Sequence, residues 1–322
     1  MASLIISIDQ DDSTTDVCKW LFFLDSKFIR LSESSIVKNV NWGFPKNKIT
    51  IEVDQFTLDL NSLKSVWYRR GNWTSNHQEK QLNPTALVDE SFKFLEYEER
   101  AFKYALHDFL KSKNNLSNYN LSKVNKIEVL NLASSIGLKI PESRIINSKK
   151  ALINFMTDKR VITKPLENPL EYYADTYWIP TYTEEITDEM LPEVPNKFGV
   201  SLFQELIEKK YELRVVYLEG DFFSMAIFSQ LDNQTEVDFR RYNHESPNRN
   251  VPYKLPIVLE LKITQLMNEL ELNFGSIDIL VNCLDEYIFL EVNPIGQFGM
   301  TSFPCNYNLE KKIAKKIIRN NV

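Results

Sequence analysis

The sequence predicts an α/β (α+β) protein in two parts, and three observations carry that expectation. Short apolar runs of period two alternate with amphipathic helical segments along the chain. At 322 residues it is about two domains long, taking roughly 100–200 residues for each. With 43% hydrophobic and 25% charged residues it can build cores and is not a disordered polymer.

The elements follow in order. Residues 4–8 make a short apolar strand. Next comes a helix with Val17, Trp20, Leu21 and Leu24 on one face, then a strand at 27–31. Residues 49–53 and 56–60 alternate at period two. Ser65, Val66, Trp67 and Tyr68 read as a more buried strand that delivers Arg69 and Arg70 at its end, where open α/β sheets present ligand groups. Residues 88–111 form a long helix. The polar stretch 112–120 reads as a linker between an N-terminal domain (1–120) and a second domain (121–322). In the second domain, 122–136 is an amphipathic helix capped by Gly137, 144–146 a strand, 149–156 a helix, and 160–164 a strand stopped by Pro165. The tyrosine-rich region 167–197 has too little periodicity for core packing. Residues 200–204 form a strand, and 212–218 with 222–229 form a hairpin about Glu219, Gly220 and Asp221. A helix at 255–272, a second hairpin (276–283 and 287–292) and a basic helix from Asn308 complete the chain.

Composition narrows the function. There are 38 Lys+Arg against 44 Asp+Glu, a formal charge of −6, which argues against a general nucleic-acid binder. Glycine is scarce, 8 of 322 residues, and neither GxxxxGK[ST] nor GxGxxG occurs, so the P-loop and the dinucleotide fingerprint lack support. Cys18, Cys283 and Cys305 lie far apart, as do His77, His107 and His244, which suggests a reducing compartment and no zinc site. The N-terminus does not read as a signal peptide, and no apolar run approaches the ~20 residues needed to span a bilayer. A cytoplasmic protein without membrane or nucleic-acid partners is expected.

The last hairpin carries the chemistry. If it closes symmetrically about Asp285 and Glu286, Asp278 falls opposite Asn293, with Glu291 two residues away on the same face. Two carboxylates and an amide oxygen then converge on an apolar ladder, and a cation is the cheapest way to satisfy them. Oxygen-only ligands favour Mg²⁺ shared with phosphates. An exposed acidic face on an edge hairpin competes with this reading, since a bulge or a longer turn would break the parity. Lys164 ends an apolar strand and so is delivered to the sheet's ligand edge; Lys126 lies one turn inside the helix starting near Ser122. For both, a solvated surface lysine is the competing reading. Glu212 and Arg214 share one face of a strand; a carboxylate suits ribose hydroxyls and a guanidinium suits phosphate oxygens.

In this order and spacing, these features resemble the ATP-grasp superfamily: Lys126, Lys164-Pro165, Gln204-Glu205, Glu212 with Arg214-Val215, Asp278, and Glu291-Val292-Asn293-Pro294. The resemblance narrows to the ATP-grasp maturases of ribosomally made peptides, the microviridin-type or graspetide ligases, including the grasp-with-spasm group. It rests on Val66-Trp67-Tyr68-Arg69-Arg70, Ile162-Thr163-Lys164-Pro165, Phe203 to Lys209, Asp238-Phe239-Arg240-Arg241-Tyr242, Tyr253-Lys254-Leu255-Pro256 and Leu290 to Gln297. It implies an ATP-grasp fold behind an N-terminal pre-ATP-grasp α/β domain, with a central part at about 121–203, a C-terminal part at about 204–322, and nucleotide between them.

Carried over by residue, the resemblance implies that Lys126 and Lys164 hold the α/β phosphates of ATP. The Gln204–Glu205 hinge, through backbone groups of Glu205 and Ile207, reads adenine, and Glu212 binds ribose. Asp278, Glu291 and Asn293 hold two Mg²⁺, and Arg214 and Arg240 face the γ-phosphate and the substrate carboxylate. Asp238 is a candidate base, with an ion pair to Arg240 or Arg241 as its plainer role. Residues 167–180 contain no glycine, a departure from the glycine-rich phosphate loop of many ATP-grasp enzymes, and the stretch 167–197 is expected to form a hairpin and helix that dock the leader of a precursor peptide. Arg69 and Arg70 are candidates for the peptide, a homodimer partner, or interdomain ion pairs. The reaction implied is activation of an Asp/Glu side-chain carboxylate as an acyl phosphate, followed by closure of an ω-ester or ω-amide ring. A ligase adding amino acids to a peptide end and an inactive peptide-binding member are the alternatives.

Overall fold

The computed structural model describes residues 2–54, 56–75, 86–167, 171–173, 178–180, 183–229 and 248–319. The chain begins with β1 (Ser3–Ile6), α1 (Asp12–Phe23), β2 (Phe28–Leu31), β3 (Ile36–Gly43), β4 (Lys48–Val53), β5 (Phe56–Asp59), β6 (Ser65–Tyr68), β7 (Thr74–Ser75), α2 (Ala86–Lys111) and β8 (Asn114–Leu116). Strands β2, β1, β6 and β8 pair in that order, all parallel. Every residue of β1 and β6 is buried, as a parallel sheet covered on both faces requires. Leu4, Ile6, Val66 and Tyr68 face one core with β4 and the end of α2; Ile5 and Trp67 face another with α1. The second sheet, β5-β4-β3-β7, contains β3, for which the sequence offered no expectation. Its burial pattern is irregular, with Ile36 and Val40 exposed among polar neighbours, so period two is weak.

The expected linker at 112–120 is not one. Asn114–Leu116 is β8, pairing in parallel with β6, and Leu116 sits in the core beside Trp67. Three ladder positions suffice once a neighbouring strand supplies the partners, although Asn-rich sequence has low strand propensity.

The chain continues with α3 (Lys126–Ser135), β9 (Ser143–Ser148), α4 (Lys149–Met156), β10 (Val161–Lys164), β11 (Glu171–Tyr173), β12 (Trp178–Pro180), β13 (Glu184–Ile186) and β14 (Lys197–Glu205). Helix α3 starts four residues later than the sequence suggested, because the Asn125 side chain accepts from the amides of Ile127 and Glu128 and caps it there. An antiparallel sheet runs β13-β10-β14-β9, with a small core of Ile146, Leu152, Phe155, Val161 and Phe203. Ile186, Leu191 and Val194 pack on that core, so part of the 167–197 region does pack despite its lack of period. Strands β11 and β12 form a separate antiparallel pair, in line with the expected hairpin; among the described residues of this region the helical part is one 3₁₀ turn, Leu191–Glu193.

The last part holds β15 (Lys209–Leu218), β16 (Asp221–Phe228), β17 (Arg249–Tyr253), α5 (Ile257–Glu269), β18 (Phe274–Asn282), β19 (Tyr287–Asn293), α6 (Gly299–Ser302) and α7 (Leu309–Ile318). Five antiparallel strands run β17-β16-β15-β18-β19. Glu219 (φ 48) and Gly220 (φ +91) form the left-handed turn that joins β15 to β16. Leu213, Val215, Tyr217, Ile277, Ile279 and Val281 face a core shared with α3 and α5. The alternate residues Val216, Leu218 and Phe274 face the core shared with α1, α7 and the parallel sheet. Among the described residues, no helix is long and apolar enough to cross a membrane.

Candidate active site

Period two places Glu212 and Arg214 on the face of β15 opposite the α5 core. Their cross-strand partners on β18 are Leu280 and Asp278. Arg214 Nη1 donates to both carboxylate oxygens of Asp278, at 2.8 and 2.7 Å. Both side chains are largely buried, so this ion pair is poorly screened.

The register of the last hairpin differs from the symmetric closure expected. Asp278 is opposite Glu291, not Asn293, and Ser276 is opposite Asn293. The turn is longer than assumed: the Asn282 amide donates to Glu286 O and the Asp285 amide to Asn282 O, while Val281 pairs with Tyr287. Continued unbroken, that register would set Asp278 opposite Leu290 and turn Glu291 towards the α5 core. A one-residue bulge between Ile279↔Phe289 and Asp278↔Glu291 restores the parity. Phe289 and Val292, three apart, therefore both face the core, and Glu291 and Asn293 face Arg214. The three oxygen-bearing residues do share a face, by two departures that cancel.

Lys126 and Lys164 approach from the other side. Lys164, at the end of β10, lies with Nζ 4.0 Å from Glu291 Oε2, and its side chain is 11% exposed. Lys126 is the first residue of α3, not one turn inside it. Its Nζ donates to the Pro165 carbonyl at 2.7 Å and lies 3.9 Å from the same Glu291 oxygen. Asn293 Nδ2 donates to Glu291 Oε1 at 3.2 Å. Among the described residues, three cations thus meet two carboxylates.

Around the hinge, Gln204 is 1% exposed and its Nε2 donates to Ser143 Oγ at 2.8 Å. The Glu205 amide donates to Glu142 O and the Leu206 amide to Arg160 O, fixing this strand end between β9 and β10. Glu212 is buried, and desolvation pushes its carboxyl above the ordinary range; Lys209 and Ser229, which donates at 3.0 Å, oppose that shift. Sequence reading counted Lys209 in the Phe203–Lys209 motif and Ser229 at a strand end but gave neither a role. It gave none to Ser276 either, although its position two before Asp278 puts it on the same face. Asp238, Arg240, Arg241 and, in the tyrosine-rich region expected to dock the leader, Tyr177 lie outside the described residues. Among the described residues, no cluster of three or more His, Cys, Asp or Glu side chains is suited to a metal ion; the grouping here is two carboxylates and an amide.

Arg69 and Arg70 meet the chain itself. Arg69 donates to the Ile295 carbonyl and, at 3.0 Å, to Gln297 Oε1. Asp11 Oδ2 lies 3.3 Å from Nε of both arginines.

No protein-family model matches the sequence, and no curated protein does. Solved structures do match. A RiPP-associated ATP-grasp ligase from Chryseobacterium gregarium, in complex with ADP and a leader and core peptide, superposes with a TM-score of 0.81 at 25% identity, covering 98% of this chain and 95% of that one. The fold is ATP-grasp. The macrocyclase MdnC from Microcystis aeruginosa MRC, bound with precursor peptide MdnA, gives 0.79 at 24% identity over 99% and 100% of the two chains. The ATP-grasp ligase PsnB, complexed with minimal precursor, Mg and ADP, gives 0.75 at 15% over 99% and 97%. These structures bear out the resemblance drawn from the ordered motifs. In ATP-grasp terms, the charged cluster joins the end of the β10 sheet to the polar face of the β15–β19 sheet.

Proposed function

We propose that the protein is an ATP-dependent ligase that activates Asp/Glu side-chain carboxylates of a ribosomally made precursor peptide and closes ω-ester or ω-amide rings within it. The observation that carries this reading is the convergence of Lys126, Lys164 and Arg214 on Glu291 and Asp278. Converging cations beside all-oxygen donors suit a polyphosphate and hard divalent cations. Support comes from the full-length likeness to ligases solved with ADP and precursor peptides.

In this reading Lys126 and Lys164 hold the α/β phosphates. The hinge at Gln204 reads adenine through the Glu205 carbonyl and Ile207, since the Glu205 amide already donates to Glu142. Glu212, held by Lys209 and Ser229, accepts from the ribose hydroxyls. Asp278, Glu291 and Asn293 are assigned to Mg²⁺, two ions in all, and their oxygen-only chemistry fits it. Bound Mg²⁺ neutralises phosphate charge and orients the triphosphate.

A carboxylate oxygen of the peptide attacks the γ-phosphorus, ADP leaves, and an acyl phosphate forms. Arg214 and Arg240 offset the charge that builds on the phosphoryl oxygens. A Ser/Thr hydroxyl or Lys amine of the same peptide then attacks the acyl carbon. Phosphate leaves, and Asp238 takes the nucleophile's proton. Having both reacting groups on one peptide supplies effective molarity, and exclusion of water protects the acyl phosphate. We assign leader docking to the 167–197 region, where the β11–β12 pair provides extended backbone.

Mass spectrometry tests the reading. A precursor containing Thr/Ser and Asp/Glu, incubated with enzyme, ATP and Mg²⁺, should lose one water per ring as ADP accumulates. A mass gain equal to an added amino acid would overturn ring closure, and an unchanged mass would overturn the ligase reading.

A further inference from the structure

The turn after Asn293 is held from two sides. The Gly296 amide donates to Asn293 O at 3.0 Å, closing a turn over 293–296. A Cβ on Gly296 would lie 2.4 Å from Ser276 Cβ, so only glycine lets the turn approach β18 this closely. On the sheet side, Gln297 O accepts from Ser276 Oγ at 3.2 Å and from Arg214 Nη2 at 3.5 Å. On the other side stands Arg69, from the end of β6 in the N-terminal sheet. Its guanidinium is 1% exposed, sits 5.5 Å from the Phe298 ring centroid, and donates to Ile295 O and Gln297 Oε1. Asp11 Oδ2 backs it, while Oδ1 of the same carboxylate caps α1 by accepting from the Thr14 amide.

We infer that Arg69 is a positioning residue: it fixes the 294–297 turn and, through that turn, the placement of Asn293 and the Arg214–Asp278 pair for Mg²⁺. The inference rests on the nucleotide-binding reading above. Arg69 reaches no assigned ligand directly. Its effect runs by two short routes, the Ile295 carbonyl to the turn that begins at Asn293, and Gln297 to Arg214 and Asp278. A guanidinium is required because one planar fork must meet a carbonyl and an amide oxygen together while facing Asp11; an ammonium cannot reproduce that geometry. The N-terminal sheet thereby becomes part of the metal site without touching it.

Calorimetry of ADP binding, with EDTA and then with saturating Mg²⁺, separates this role from general structural support. In the wild type, Mg²⁺ should strengthen ADP binding. Arg69→Lys should keep its metal-free ADP affinity within about twofold and lose roughly tenfold or more of the Mg²⁺ enhancement, the scale for groups that orient metal ligands. Gln297→Met removes one contact from the loop side and should lose part of the enhancement even if the Arg69 variant folds poorly. Equal Mg²⁺ enhancement in wild type and both variants would overturn the inference and leave the function reading standing. No ADP binding by the wild type would overturn both.

Discussion

Two charged clusters at strand ends use opposite physics. At the end of β6, Arg69 is 1% exposed and its guanidinium is spent on fixed protein atoms, the Ile295 carbonyl, Gln297 and Asp11. At the end of β10, Lys126 and Lys164 stand 3.9 and 4.0 Å from Glu291, near the limit of an ion pair. Short directional bonds to a buried guanidinium convert charge into rigidity. These longer contacts to a partly exposed carboxylate act through a field more than a geometry, while the 2.7 Å bond from Lys126 to the Pro165 carbonyl sets where that field starts. The difference teaches where mutations should register: at the first cluster in stability and, through the turn it holds, in the Mg²⁺ dependence of ADP binding; at the second in metal-free ADP affinity and turnover with little change in stability.

The largest break should come from the carboxylates we propose as Mg²⁺ ligands. Glu291→Gln should lower Mg²⁺-dependent ADP production by roughly 10²-fold or more, the scale for removing one preorganised electrostatic group. Its thermal unfolding should stay close to that of the wild type; near-normal turnover at saturating Mg²⁺ would dissolve the contrast.

Arg69→Met should act on stability. A loss of about 3 kcal/mol is expected in denaturant unfolding, the low end for breaking a buried ion pair because Arg70 still faces Asp11. Lys164→Ala should show the reverse. Its ADP affinity, read by calorimetry, should fall by about tenfold, as for one lost charge-assisted contact. Its unfolding free energy should move by less than about 1 kcal/mol. If Lys164→Ala proved the more destabilising of the two, the division of labour would be wrong.

The smallest effect sharpens the stability side. His107 stacks between Tyr119 and Trp73 at centroid distances of 4.4 and 5.8 Å. Burial, with a smaller effect from Lys103, pulls its pKa from 6.5 down to about 3. Unfolded chain therefore binds the proton first as pH falls, so stability present above pH 6.5 is lost progressively towards pH 3. Between pH 6.5 and 5 this group should remove about 2 kcal/mol, from ~1.4 kcal/mol per pH unit. In His107→Phe that part of the slope should vanish from urea midpoints taken across the same range.

Much of the molecule was legible in its residues because local patterns are local physics. The buried strand Ser65–Tyr68 and helix Lys149–Met156 were expected where they stand, from an unbroken apolar run and a 3.6-residue stripe. The order of Lys126, Lys164, Glu212, Arg214, Asp278 and Glu291 is likewise a property of the chain, and it sufficed to suggest the ATP-grasp resemblance. Strand β8, the Asn125 cap and the packing of Ile186, Leu191 and Val194 were missed, because in each the deciding partner lies elsewhere or competes with a nearby alternative.

By itself, then, the sequence determined which groups the protein carries and which elements present them, since periodicity and capping act within a few residues. Tertiary structure decided how those groups meet. The bulge between Asp278 and Ile279, which turns Glu291 towards Arg214, depends on how a turn and two strands settle together. The reach of Arg69 across 226 residues to Ile295 depends on one sheet packing against another. Registers and long-range contacts are fixed by the burial of distant surfaces, and no local window of sequence records that burial.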